Sequence, residues 1–215
     1  MPVKVKICGV NSPAAVAAAV SGGASHLGFN FYPPSPRALK PAGAAALAPA
    51  VPKGIVKVGL FVDADDETIE AVLKEASLDM LQLHGDETPR RVKELRRRFG
   101  LPVMKALRIA SAVDIAAADE YLPVADWLLF DAKPPASMKG ALPGGNAISF
   151  DWALLAGRRW TRPWMLSGGL NVGNLAAAVA ATKATHVDVS SGVEDSPGRK
   201  SPAKIGAFLK LAAAL

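Results

Sequence analysis

Short aliphatic or β-branched runs alternate with alanine-rich, helix-period stretches from one end of this 215-residue chain to the other. That alternation is the strongest constraint on its fold. The strand signals fall at Val3–Cys8, His26–Phe31, Ile55–Val62, Met80–His84, Val103–Leu107, Trp127–Asp131, Trp164–Ser167 and His186–Ser190. Helical patterns follow at Pro13–Ser21, Ala42–Ala50, Asp66–Glu75, Pro89–Phe99, Ala112–Tyr121, Asp151–Leu155, Val172–Ala181 and Pro202–Ala213. Strands separated by helices pair in parallel, with the helices outside. Eight is also the number of strands that closes a barrel. An open, doubly wound sheet usually has fewer strands and a glycine-rich turn after the first. Here the first turn is Cys8-Gly9-Val10-Asn11, which carries no such fingerprint. The expectation is an α/β fold, a single-domain (β/α)8 TIM barrel over residues 1–215, compact for a class that needs roughly 200 residues or more.

Local chemistry agrees with this outline. Ser12-Pro13 and Ser201-Pro202 each offer a serine N-cap with proline at the first helical position. Within the first strand, Val3, Val5 and Ile7 share one face and Lys4, Lys6 and Cys8 the other. The helix layer wants the valine face, so the lysines should point into the barrel. A buried lysine needs a carboxylate to keep its proton. Asp188 has the inward parity on the last strand, which neighbours the first once the barrel closes, so Lys6 is expected beside Asp188.

The composition excludes several classes. Half the residues are hydrophobic, enough for a large core. No uncharged run approaches the length of about 18 apolar residues that would imply a membrane span. The strand signal beginning at Val3 leaves no room for a secretory leader, and one cysteine without a pairing partner points to a reducing cytoplasm. The net charge is +6, yet its densest run, Arg90 to Arg98, reads as the solvated face of an amphipathic helix. A nucleic-acid surface would cluster the charge with aromatics; a modest positive field suits a small anionic substrate instead. No apolar stripe calls for a partner chain, so a monomer is expected, with a homodimer as the alternative.

Polar residues end several strands: Cys8, His84, Asp131, Ser167 and Asp188. In a closed parallel barrel these ends meet on the face that carries the active site. Two glycine- and serine-containing loops, Ser167-Gly168-Gly169-Leu170-Asn171 and Ser190-Ser191-Gly192-Val193, follow the last two strands. Their exposed amides and hydroxyls suit a phosphate, and Gly168, Gly169, Ser190, Ser191 and Gly192 are its candidate holders. The bland reading of those glycines is tight turns. Arg37, in a proline-stiffened loop after the second strand, could hold a carboxylate bidentately or lie solvated. Cys8 and Asp131 could face each other as base and acid; they could equally be a core thiol and a loop-capping carboxylate. A thiolate there needs nearby positive charge, which Lys6 could supply in part. His84 either contacts substrate or holds its own loop. The three histidines lack ligand spacing and no cysteine pair exists, so no metal is expected. The long proline- and glycine-rich segment from Lys133 to Ser149 is expected to form a mobile lid.

Taken in order, Lys6-Ile7-Cys8-Gly9, Gly28-Phe29 with Ser35-Pro36-Arg37, Gln82-Leu83-His84-Gly85, Phe130-Asp131, Ser167-Gly168-Gly169-Leu170 and Asp188 to Glu194 resemble the phosphoribosylanthranilate isomerases of tryptophan biosynthesis. The resemblance implies a cytoplasmic (β/α)8 enzyme that carries out an Amadori rearrangement of N-(5-phosphoribosyl)anthranilate without a cofactor. It assigns Cys8 as general base, Asp131 as general acid and Arg37 as the holder of the anthranilate carboxylate. His84 and Asp188 would contact substrate, and the two loops would bind its phosphate. The chain departs from the family in its lid: Gly144-Gly145-Asn146-Ala147 stands where Gly-Gly-Thr-Gly is usual, with extra residues after Asp131. Rivals with shared phosphate loops are a sugar-phosphate isomerase of histidine synthesis, an indole glycerol-phosphate synthase and a non-catalytic phosphate sensor. None of them accounts for Cys8 together with Asp131 and Ser35-Pro36-Arg37.

Overall fold

The computed structural model describes residues 2–135 and 137–215. Eight parallel strands close into a barrel in simple chain order: β1 (Lys4–Cys8), β2 (His26–Asn30), β3 (Val56–Phe61), β4 (Met80–Leu83), β5 (Val103–Ile109), β6 (Trp127–Ala132), β7 (Trp164–Leu166) and β8 (His186–Val189). β8 returns to pair with β1, and the register sets Lys6 opposite Asp188. Closure leaves no unpaired edge.

The helices α1 (Pro13–Ser21), α2 (Pro41–Leu47), α3 (Asp66–Glu75), α4 (Pro89–Phe99), α5 (Ala112–Ala117), α6 (Leu175–Thr182) and α7 (Pro202–Ala213) lie between strands or after the last one. Ser12 caps α1 by accepting from the amide of Ala15, and Thr88 caps α4 by accepting from Arg91. The arginine-rich helix α4 buries Val92 and Leu95 and turns its arginines outward, and Gly100 ends it in the left-handed conformation. Ser201 holds the N-cap of α7, but its hydroxyl makes no capping bond.

Side-chain alternation divides the core in two. Val3, Val5, Ile7, Leu27, Leu81, Val103, Leu128 and Val187 point outward into the layer shared with the helices. Val58, Met80, Met104, Ala106, Leu129 and Met165 fill the barrel interior. Lys6 points inward as expected and is completely buried. Lys4 has the same parity but lies exposed at the N-terminal rim, where water solvates its ammonium.

Several boundaries depart from the sequence pattern. The expected helix Asp151–Leu155 is a single 3-10 turn at Trp152–Leu155, too short to hold an α-helical ladder. α2 and α5 each end in a 3-10 turn, at Ala48–Ala50 and Ala118–Glu120. α6 starts at Leu175 because Asn171 to Asn174 form a turn in which the Asn171 and Asn174 side chains accept from backbone amides. A two-stranded hairpin, β9 (Glu194–Ser196) with β10 (Arg199–Lys200), follows the β8 loop and has no counterpart in the alternating sequence pattern. Among the described residues no helix is long and apolar enough to cross a membrane.

Candidate active site

The C-terminal ends of the strands surround a concave pocket at the barrel mouth. Cys8 from β1, Asp131 from β6, Asp188 from β8, His84 after β4 and Arg37 after β2 all line it. Each is less than a tenth exposed. Ser167, Gly169, Ser190 and Ser191 line it on the side of β7 and β8. Gly168 and Gly192 lie behind this wall. Gly168 makes a turn at a φ of +93°. A Cβ on Gly192 would stand 1.9 Å from the carbonyl oxygen of Leu170, so the β7 and β8 loops pack against each other backbone to backbone.

Lys6 donates to Asp188 Oδ1 at 2.7 Å, and Ser167 donates to Asp188 Oδ2 at 3.1 Å. Burial works against the lysine's charge, but Asp188 and Cys8 more than offset it and hold the ammonium above its ordinary range. Burial likewise pushes the Cys8 thiol above its ordinary value; Lys6 and Lys200 pull the other way, and Asp188 adds to the rise. The positive charge expected from the sequence is therefore present and is outweighed by desolvation. Gly28, opposite Cys8 in the register, makes room for both groups. A Cβ there would lie 3.1 Å from Lys6 Nζ and 3.2 Å from Cys8 Sγ.

Across the pocket, Asp131 Oδ1 accepts from the amide of Ala132 at 2.9 Å, and Oδ2 lies 3.2 Å from His84 Nε2. His84 Nδ1 is 3.0 Å from Gln82 Nε2. His84 faces the pocket, and its loop is held by other residues rather than by its own ring. Lys105 donates to the carbonyl of Gly85 and to Glu87, each at 2.7 Å, and Glu87 accepts from the amides of Asp63 and Gly85.

Arg37 is neither solvated nor free. Its Nε and Nη2 each donate at 2.8 Å to Glu194, and Nη2 also donates to the carbonyl of Gly145 at 3.2 Å. Glu194 is held below the usual carboxylate range: burial opposes this, but Arg37 and Lys200 outweigh it. Leu142 to Asn146 and Ile148 of the expected lid line the pocket from above. Gly144 and Gly145 pass so close to Asp131, His84 and Arg37 that a Cβ on either would meet those side chains within 3 Å. Ala136 of this loop lies outside the described residues.

The sequence places Glu194 at the end of a family-like motif without a role, and gives no sign of Lys200 or of the Lys105–Glu87 pair. The Pro197-Gly198 dipeptide was the one signal for the hairpin that carries the first two. Among the described residues no group of three or more histidine, cysteine, aspartate or glutamate side chains could hold a metal ion.

The pocket thus sets a thiol, a carboxyl group, an arginine and two serine-bearing loops around one small volume. Comparison with known proteins points the same way. Residues 5–211 match the family model described as N-(5'phosphoribosyl)anthranilate (PRA) isomerase. The N-(5'-phosphoribosyl)anthranilate isomerase of Rhodospirillum centenum is 60% identical over 215 residues, covering 100% of both chains. The crystal structure of phosphoribosyl anthranilate isomerase from Thermotoga maritima superposes with a TM-score of 0.87 at 34% identity, covering 99% of this chain and 100% of that one. Another solved phosphoribosyl anthranilate isomerase is in complex with reduced 1-(o-carboxyphenylamino)-1-deoxyribulose 5-phosphate. It matches with a TM-score of 0.85 at 33% identity, covering 99% of this chain and 100% of that one. A family match over nearly the whole chain, met by the same barrel, makes this chain a member of the N-(5'-phosphoribosyl)anthranilate isomerase family.

Proposed function

We propose that this chain isomerises N-(5'-phosphoribosyl)anthranilate to 1-(2-carboxyphenylamino)-1-deoxyribulose 5-phosphate, with Cys8 as general base and Asp131 as general acid. What supports the reading above all is that these two groups, from β1 and β6, both line the pocket at the barrel mouth. Asp131 gives a proton to the ribose ring oxygen as the C1'–O bond breaks and the anthranilate nitrogen forms an iminium. The iminium acidifies the hydrogen on C2'. Cys8 takes that proton, and the electron pair left behind neutralises the nitrogen to give an enolamine. Tautomerisation, with a proton added at C1', yields the ketone.

The free site suits a base that must not act early. Burial keeps the Cys8 thiol protonated at neutral pH. The cationic iminium, arriving beside Lys6, favours the thiolate when the reaction needs it. Arg37 faces the anthranilate carboxylate, and the loops of Gly169, Ser190 and Ser191 face the phosphate. His84 and Asp188 contact the sugar between them. Anchoring both ends of the substrate fixes the ribose between acid and base, which is where most of the positional advantage arises. On this reading the enzyme works as a cytoplasmic monomer on a small molecule and uses no cofactor.

The test is the loss of substrate fluorescence in steady state. Cys8→Ala and Asp131→Asn should each lower kcat by about 10²–10⁴-fold, the usual weight of one positioned proton transfer. Both should still unfold cooperatively. Near-wild-type turnover in a folded variant would remove that residue from its role.

A further inference from the structure

The β9–β10 hairpin carries two buried charges that the proposed proton transfers do not use. The Lys200 side chain is completely buried. Its Nζ donates to the carbonyl of Ser190 at 3.0 Å, to Ser190 Oγ at 3.2 Å and to Glu194 Oε1 at 2.6 Å. Three donors meet three acceptors, so the ammonium is fully satisfied. Glu194 in turn clamps Arg37 through two hydrogen bonds. The Ser190 hydroxyl donates onward to the carbonyl of Cys8 at 3.2 Å.

A buried Lys–Glu–Arg group is poor as a stabilising device, because desolvation cancels much of its attraction. Its layout has a different use. One end is the β8 loop, the other is Arg37, and both ends line the pocket. The group carries two cationic side chains and one carboxylate, leaving a net positive charge between the two places where an anion is expected.

We propose that Lys200 and Glu194 are positioning residues that tie the phosphate loop to Arg37, so that both anion-binding ends of the pocket are held as one unit. This rests on the proposed function, which gives the β8 loop to phosphate and Arg37 to the carboxylate. Lys200 locks the loop through both Ser190 acceptors and fixes the Glu194 carboxylate, and Glu194 then sets the plane of the Arg37 guanidinium. Removing Lys200 loosens both ends. Removing Glu194 loosens the Arg37 end alone.

The experiment measures competitive inhibition of the full-length enzyme by two probes, inorganic phosphate and anthranilate. Lys200→Met leaves Glu194 paired with Arg37 and should fold; Lys200→Gln serves if it does not. The expected result is a rise of about five- to tenfold in both inhibition constants, with KM rising more than kcat falls. In an Arg37→Ala background, Lys200→Met should still weaken phosphate and no longer affect anthranilate, because residues acting through one another are not additive. If Lys200→Met changes only one constant, or neither, while Arg37→Ala weakens anthranilate, the tie is overturned and the reading of Arg37 stands. If Arg37→Ala leaves anthranilate unchanged, the reading of Arg37 falls and the tie falls with it.

Discussion

Cys8 shows how environment outweighs residue type. A thiol beside an ammonium is usually read as an activated thiolate. Here the pocket wall removes more hydration than Lys6 replaces, and the thiol sits above its ordinary value of 9.0. The free enzyme therefore holds a protonated Cys8 throughout the neutral range. Cys8 is the only cysteine, so its ionisation can be followed directly. The thiolate absorbance of the wild type, with Cys8→Ala as the blank, should rise with a midpoint above 9.0. A midpoint clearly below that value would mean that Lys6 outweighs burial. Arg37 carries the same lesson with the opposite sign. The Ser-Pro-Arg loop announces a guanidinium but gives no hint of the carboxylate, 157 residues further on, that clamps it.

At the scale of elements, the repeating pattern found all eight barrel strands, because each is a short apolar run whose period differs from that of the helix after it. The pattern failed where tertiary packing alone decides. Trp152 to Leu155 has helical spacing but lacks the length to nucleate a helix. Glu194 to Lys200 has no strand signature, since the hairpin is charged and stands outside the barrel; the interior contacts of Glu194 and Lys200 form it. The glycine loops were legible as loops, but their division of labour was not. Gly169 lines the pocket, whereas Gly192 is needed because Leu170 leaves no space for a side chain. Gly192→Ala should cost about 1–3 kcal/mol through overpacking against backbone, and should weaken inhibition by inorganic phosphate as the β8 loop shifts. Gly206 in α7 is the contrast, because a Cβ there would meet nothing within 4 Å. Gly206→Ala should stabilise by about 0.5–1 kcal/mol through helix propensity. Urea denaturation checks both signs; a neutral Gly192→Ala would mean that the two loops part easily.

Across the whole molecule, the barrel interior changes character from one end to the other. The mouth is polar and carries the site, the middle is a methionine-rich plug, and the N-terminal end is closed by aromatic rings. There His26, Trp127 and His186 pack edge to face, with ring centroids 5.0 to 6.4 Å apart. Burial first, then Lys6, His186 and Lys4, lower the pKa of His26 from 6.5 to about 3. The folded protein therefore keeps this ring neutral at pH values where the unfolded chain protonates it. Stability is unaffected above 6.5, falls as the pH drops from 6.5 towards about 3, and levels off below. At about 1.4 kcal/mol per pH unit, His26 alone should remove roughly 2 kcal/mol between pH 6.5 and pH 5. His186, whose pKa burial also lowers, adds a smaller loss in the same direction. Carboxylates enter later. Asp114, brought down to about 2 against its partial burial by Lys133 and the amides of Ala110 and Ser111, loses its contribution only below 3.8. His26→Phe keeps a ring against Trp127, and Ser25 retains its bond to the carbonyl of Val5 at 3.0 Å. Urea denaturation at pH 7 and pH 5 should show the wild type losing stability and this variant losing less than half as much. Equal losses in the two proteins would mean that the N-terminal plug opens enough to hydrate His26, and that its rings do not seal the barrel.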